Sequence, residues 1–371
     1  MKKCSVFLGT MALLCIGMFG CSSARSRHDP EVVRNTPRPA FSLALQQPDI
    51  IVAVSPVRQT MQIGGNIPML LGAGISAVQD DKYGVRVREA LGDYDPCAVF
   101  LERMHQRIDQ GFNQDLQQVA PQGTAAGFAN MREAKKARLA GLRYSGYDTV
   151  LDLELSFGIY GPQGILAVKA AGELFDVQTG RLLWRNEVAS YSVELFADMK
   201  WRDPTRRMKS NITAPRFSVE EDAISQWIPE NAAPLRTAFE QEVDAVGAAI
   251  LTDLGLKESP EGLYTLGVYL LLNNKYEAAE EKFARALELK PDMAKAMNGL
   301  SVTFASNEKI DEAIALAEKL VDAHPDYEPG QYNLAWWQAA ENEGKNLTFP
   351  KHEKALRFGA SLFKFAIKAG I

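Results

Sequence analysis

The chain has 371 residues, 46% of them hydrophobic and 23% charged, with 41 Lys and Arg against 46 Asp and Glu. That composition excludes a collagen-like or wholly disordered chain, and the length suits two domains of roughly 100–200 residues each. A net charge of −5 supplies no general attraction to polyanions, so nucleic acid is not an expected partner, and four Cys are too few for a disulfide scaffold.

Residues 1–20 have the layout of a secretory signal: Lys2 and Lys3, then an uncharged stretch with the apolar run Val6–Phe19 at its centre. The following Met18-Phe19-Gly20-Cys21 resembles the lipobox of bacterial lipoproteins, in which a small residue precedes a cysteine that is acylated and becomes the mature N-terminus. Gly20 and Cys21 fit that pattern; Met18 and Phe19 are looser than its usual Leu and small residue. The alternative is an uncleaved transmembrane anchor, since about 20 apolar residues span a bilayer. Ser22 stands where inner-membrane retention signals usually carry Asp, so the resemblance implies the outer membrane, with the protein lipid-anchored and facing the periplasm. After cleavage and acylation Cys97 is the remaining thiol, expected as a buried small residue near the start of the apolar-periodic stretch 97–108.

Residues 21–45 are polar and carry Pro30, Pro37 and Pro39, which suggests a flexible tether. The α/β domain is expected over 46–258. It opens with a β-rich run at 49–57 and a glycine-rich apolar stretch at 63–75, which lacks both the Gly-Lys-Ser/Thr ending and the G-x-G-x-x-G spacing of phosphate loops. Helices are expected over 97–110 and 131–142. In Thr149–Tyr160, Leu151, Leu153, Leu155, Phe157 and Ile159 alternate with polar residues and glycine, the pattern of a half-buried strand. The turn at Gln178-Thr179-Gly180 then joins two further strands, predicting an antiparallel meander. The segment from Tyr147 to Ala189, and its Asp176-x-x-Thr179-Gly180-x-x-x-Trp184 part above all, is similar to the central hairpins of small periplasmic lipoproteins related to curli-secretion components and activators of peptidoglycan synthases. Asp152 and Glu154 lie on the outward face of one strand, where solvation rather than acid–base chemistry explains them.

Lys200–Lys209 holds five basic residues, one acid and a Trp inside an acidic protein. It reads either as a solvated loop or as a docking surface for anionic headgroups through Trp201, Arg202, Arg206 and Arg207. The apolar spacing of 235–254 predicts an amphipathic helix ended by Gly255.

From Pro260 a 34-residue period appears: Leu266, Gly267, Leu270, Tyr276, Ala279, Phe283, Ala286, Leu287 and Pro291 are followed, without a gap, by Leu300, Ser301, Phe304, Ile310, Ala313, Ala317, Leu320, Val321 and Pro325. The spacing resembles the tetratricopeptide repeat over 260–327, with a third, interrupted unit beginning at Tyr332 and a closing helix expected over 352–369, so 260–371 reads as a short all-α repeat domain after an α+β domain. Three units are the usual minimum for a stable stack, so helix 235–254 and the degenerate third unit are expected to cap the array. In that family the first helix of each unit forms the concave surface. The resemblance therefore places Tyr264, Val268, Leu271, Asn298, Val302, Tyr332 and Trp336 in a groove suited to an amphipathic helix or an extended apolar segment, unless a neighbouring part of the chain fills it.

No metal-ligand pair forms among His28, His105, His324 and His352, and no G-x-S-x-G or H-E-x-x-H is present. No cofactor is expected. The sequence predicts a non-enzymatic envelope adaptor that binds the membrane through its lipid and a protein partner through its domains. The alternatives are a homo-oligomeric structural subunit and an envelope hydrolase or transferase without a recognisable motif.

Overall fold

A computed structural model describes residues 28–47, 49–54, 82–121, 131–160, 164–197 and 222–342. Its elements in chain order are α1 (Pro30–Arg34), β1 (Pro39–Leu45), β2 (Ile51–Ala53), α2 (Pro96–Asp109), β3 (Gln117–Gln118), α3 (Met131–Tyr144), β4 (Thr149–Tyr160), β5 (Ile165–Asp176) and β6 (Leu182–Tyr191). The helices α4 (Asp222–Ser225), α5 (Pro229–Asp253), α6 (Pro260–Leu272), α7 (Tyr276–Leu289), α8 (Ala294–Ser306), α9 (Ile310–Ala323) and α10 (Glu328–Asn342) follow. Residues 82–91 are also helical. The glycine-rich stretch, Cys21, the basic run at 200–209 and the expected helix at 352–369 lie outside the described residues.

The meander β4–β5–β6 is antiparallel, and strand order in the sheet is β3-β1-β4-β5-β6 with β2 also on β4. The sheet as a whole is mixed, because β1, β2 and β3 join it in parallel. This corrects the tether read over 21–45: residues 30–34 are helical and 39–45 are a strand inside the sheet. Pro39 sits at the first strand position, where its missing N–H costs least, while Phe41 and Leu43 are buried in the same core as the inward residues of β4. The start of this segment is fastened as well. Asp29 caps α1 by accepting from Glu31 N at 2.9 Å. The His28 ring meets Leu254 O at 2.7 Å, and Arg34 donates to Gly255 O at 3.2 Å.

Alternation along β4 sends Leu151, Leu153, Leu155, Phe157 and Ile159 to one face, where α2 and α5 cover them. Phe100, Phe157 and Phe239 meet there with ring centroids 4.9 to 5.8 Å apart, an edge-to-face and tilted cluster. On the other face α3 covers one end, packing Leu139 with Val150, Phe175 and Ala40. The middle of that face is charged. Asp152 takes a bidentate pair from Arg138, both bonds 2.7 Å, and a 2.6 Å bond from Ser42, while Glu154 accepts from Gln46 at 3.1 Å. Both acids are thus occupied in joining β4 to α3 and to the β1 end.

The far end of the sheet meets the repeat helices. Ile165, Ala167, Ala189 and Tyr191 share one core with Val268, Tyr269, Leu271, Phe283 and Val302, and Val188 packs with Ala249 and Leu266. Helix α5 lies directly against α6, so the stack begins on the α/β domain itself. Trp184 and Asn186 both donate to Asp253 at the end of α5, at 2.9 and 2.7 Å.

Candidate functional site

The first helices α6, α8 and α10 run side by side with α7 and α9 behind them. Small residues set their spacing: a Cβ on Gly267 or Gly299 would stand 2.7 or 2.6 Å from the Phe283 ring, so the backbones of α6 and α8 close on that side chain from two sides. Hydroxyls inside the stack bond back to their own helices, Ser301 to Asn298 O at 2.8 Å and Thr303 to Gly299 O at 2.7 Å.

The concave side is occupied by the chain's own extended segment after β6. Ser192 still belongs to the sheet, its N–H donating to Leu166 O at 2.9 Å. From Glu194 to Ala197 the partners are repeat residues. Asn298 and Asn333 each donate to Leu195 O at 2.9 Å, and Asn333 Oδ1 accepts from Ala197 N at 2.6 Å. Asn333 also donates to Asn298 Oδ1 at 2.8 Å. These carboxamides are 1% and 0% exposed, and Leu195 is 1% exposed. The network is therefore buried, and in it both donor hydrogens of Asn333 and its acceptor are in use.

Side chains complete the grip. Tyr327 donates to Glu194 Oε2 at 2.8 Å and Lys295 lies 3.3 Å from Oε1. Phe196 meets Tyr332 edge-on at 5.3 Å, and Tyr332 stacks on Trp336 at 6.1 Å. Burial and the neighbouring Glu194 charge raise the Tyr327 phenol, which keeps it protonated as the donor.

The seven residues assigned to the groove from sequence divide accordingly. Asn298, Tyr332 and Trp336 lie at the occupied groove. Val268, Leu271 and Val302 are buried in the core that the array shares with the sheet. Tyr264 is half-buried, its ring 5.8 Å from Phe283. The sequence reading missed Asn333, Lys295 and Tyr327. The 34-residue step from Asn298 lands on Tyr332, so Asn333 stands one place outside the register.

On α5, Glu242 is half-buried and accepts from Ser190 Oγ of β6. Burial pushes its carboxyl above the ordinary value of 4.5. Glu194 adds to that shift, while the Ser190 bond and Lys295 of α8 oppose it. Tyr264 of α6 lies in the same electrostatic cluster. A carboxyl whose folded value is raised stabilises the fold most at and below the unfolded value, and that contribution is lost as pH rises through the raised one. Glu242→Gln is accordingly expected to be more stable relative to wild type at pH 8 than at pH 5, read by thermal melting at the two values.

Cys97 begins α2 behind the Asp95 cap. Burial, then Asp95 and Asp49, push its thiol up, the opposite of an activated nucleophile. At the other end of the sheet a cleft of about 600 Å³ is lined by Asp29, Asp148, Asp176, Arg181 and Thr149 among others. Among the described residues no group of three or more His, Cys, Asp and Glu is placed to hold a metal, and no helix is long and apolar enough to cross a membrane.

A family model described as Tetratricopeptide repeat matches residues 264–328, and a repeat of this kind suggests a protein-interaction scaffold. Among solved structures, the chain is similar to the PelC dodecamer from Paraburkholderia phytofirmans, 12% identical over 43% of this chain and 74% of that one, with a TM-score of 0.21. A point variant of that dodecamer gives 11% identity, 45% and 78% coverage and the same TM-score of 0.21. The hypothetical protein CT253 from Chlamydia trachomatis is 8% identical over 56% of this chain and 98% of its own, with a TM-score of 0.17. No curated protein matches the chain in sequence.

Proposed function

We propose that this protein is a lipid-anchored, non-catalytic scaffold of a bacterial outer membrane, facing the periplasm and holding a protein partner in envelope assembly, secretion or cell-wall regulation. The observation that carries the binding part is the carboxamide clamp of Asn298 and Asn333 on an extended backbone, which is a polypeptide grip already engaged. The anchoring part is supported by the signal-like first 20 residues and by Gly20-Cys21.

The fold adds a limit on distance. Helix α1 (Pro30–Arg34) starts nine residues beyond Cys21, so even at full extension of the residues between them it stands no farther than about 30 Å from an acylated Cys21. A scaffold held so closely would work on partners at the membrane surface.

Metabolic labelling with palmitate tests the anchor. Wild-type protein is expected to carry the label in the membrane fraction, and Cys21→Ala to carry none. An unlabelled wild-type protein would remove the lipid-anchored reading and leave the uncleaved transmembrane segment in its place.

A further inference from the structure

The segment in the repeat groove leaves the sheet after β6. Its last sheet bond is at Ser192, and beyond it the backbone groups of Leu195 and Ala197 are satisfied by Asn298 and Asn333 instead of by a strand. Carboxamides that read a C=O and an N–H bind any extended backbone alike; selectivity falls to the side chains. Here those are a carboxylate held by Tyr327 and Lys295, a buried Leu, an aromatic ring on Tyr332, and an Ala that is 5% exposed.

The contacts that seat this segment are made by side chains of the array: Tyr327 and Lys295 hold the Glu194 carboxylate, Asn298 and Asn333 hold Leu195 O, and Asn333 Oδ1 takes the Ala197 N–H. A separate segment with the same side-chain pattern can make each of them.

We propose that Val193–Ala197 is an exchangeable internal occupant, and that the groove accepts in its place an extended protein segment with the pattern carboxylate, Leu, aromatic, small side chain. This rests on the scaffold reading above and names its partner chemistry. A tethered occupant competes at a high effective concentration, so a free segment gains access in proportion to how far the occupant is weakened.

The probe is a fluorescent peptide of residues 192–197, Ser-Val-Glu-Leu-Phe-Ala, titrated by anisotropy into the full chain. Leu195→Ala, which shrinks the buried anchor of the occupant and leaves the groove intact, is expected to bind it at least about tenfold more tightly than wild type. Adding Asn333→Ala to that variant is expected to abolish binding, and a peptide with Ala in place of Leu is expected not to bind. If Leu195→Ala does not fold, Phe196→Ala enters the same titration. No binding by a folded Leu195→Ala or Phe196→Ala chain would overturn the proposal, and so would the failure of both to fold, since the segment would then be permanent structure. Such a result would leave the palmitate experiment untouched, so loss of exchange and loss of the scaffold reading can be told apart.

Discussion

Phe283→Ala is expected to cost about 3–5 kcal/mol, the largest single-residue loss in the repeat array. The ring is 0% exposed on α7, with the backbones of α6 and α8 closed on it at Gly267 and Gly299 and the Tyr264 ring 5.8 Å away. Its removal would leave a cavity bounded on two sides by the α6 and α8 main chain at Gly267 and Gly299, which cannot collapse there without pulling the two helices together, so little of the loss is recovered. The array is short, and Phe283 belongs to the core it shares with the sheet. Urea denaturation followed by circular dichroism should therefore show an earlier transition dominated by helical signal.

The second large effect is at the clamp, and it is asymmetric. Asn298→Ala leaves Leu195 O still bonded to Asn333, whereas Asn333→Ala orphans the Ala197 N–H and the Asn298 carbonyl together. An orphaned buried polar group costs about 1–3 kcal/mol, so Asn333→Ala should be the more damaging single change. The two residues share one acceptor and bond each other, so their effects should be strongly non-additive in a double-mutant cycle read by urea midpoints.

Period and alternation made much of this fold legible. Alternation over 149–160 coincides with β4, the Gln178-Thr179-Gly180 turn separates β5 from β6, and the 34-residue register places α6 to α9. Strand β1 was hidden because Pro37 and Pro39 read as tether composition, although Pro at a first strand position is permitted and Phe41 and Leu43 already alternate. Its pairing with β4 joins residues more than a hundred positions apart, which no local pattern encodes.

The groove was half legible. Register identified Asn298 and Tyr332 but not the neighbouring Asn333, and nothing periodic marks Val193–Ala197 as a ligand for helices that follow it in the chain. One signal was available and unused. Helix α6, with Leu263, Leu266, Val268, Leu270, Leu271 and Leu272, is apolar on every side, the pattern of a helix covered all round. That pattern fits Val268 and Leu271 facing the sheet better than an open groove.

Amide hydrogen exchange at Ala197 tests most directly whether the array grips a polypeptide backbone. The clamp predicts protection of that N–H comparable to the central bonds of β5 in wild type, lost in Asn333→Ala while the β5 amides stay protected. Exchange of the wild-type Ala197 amide at the rate of an unstructured chain would mean that no grip exists, and the binding function built on it would fall.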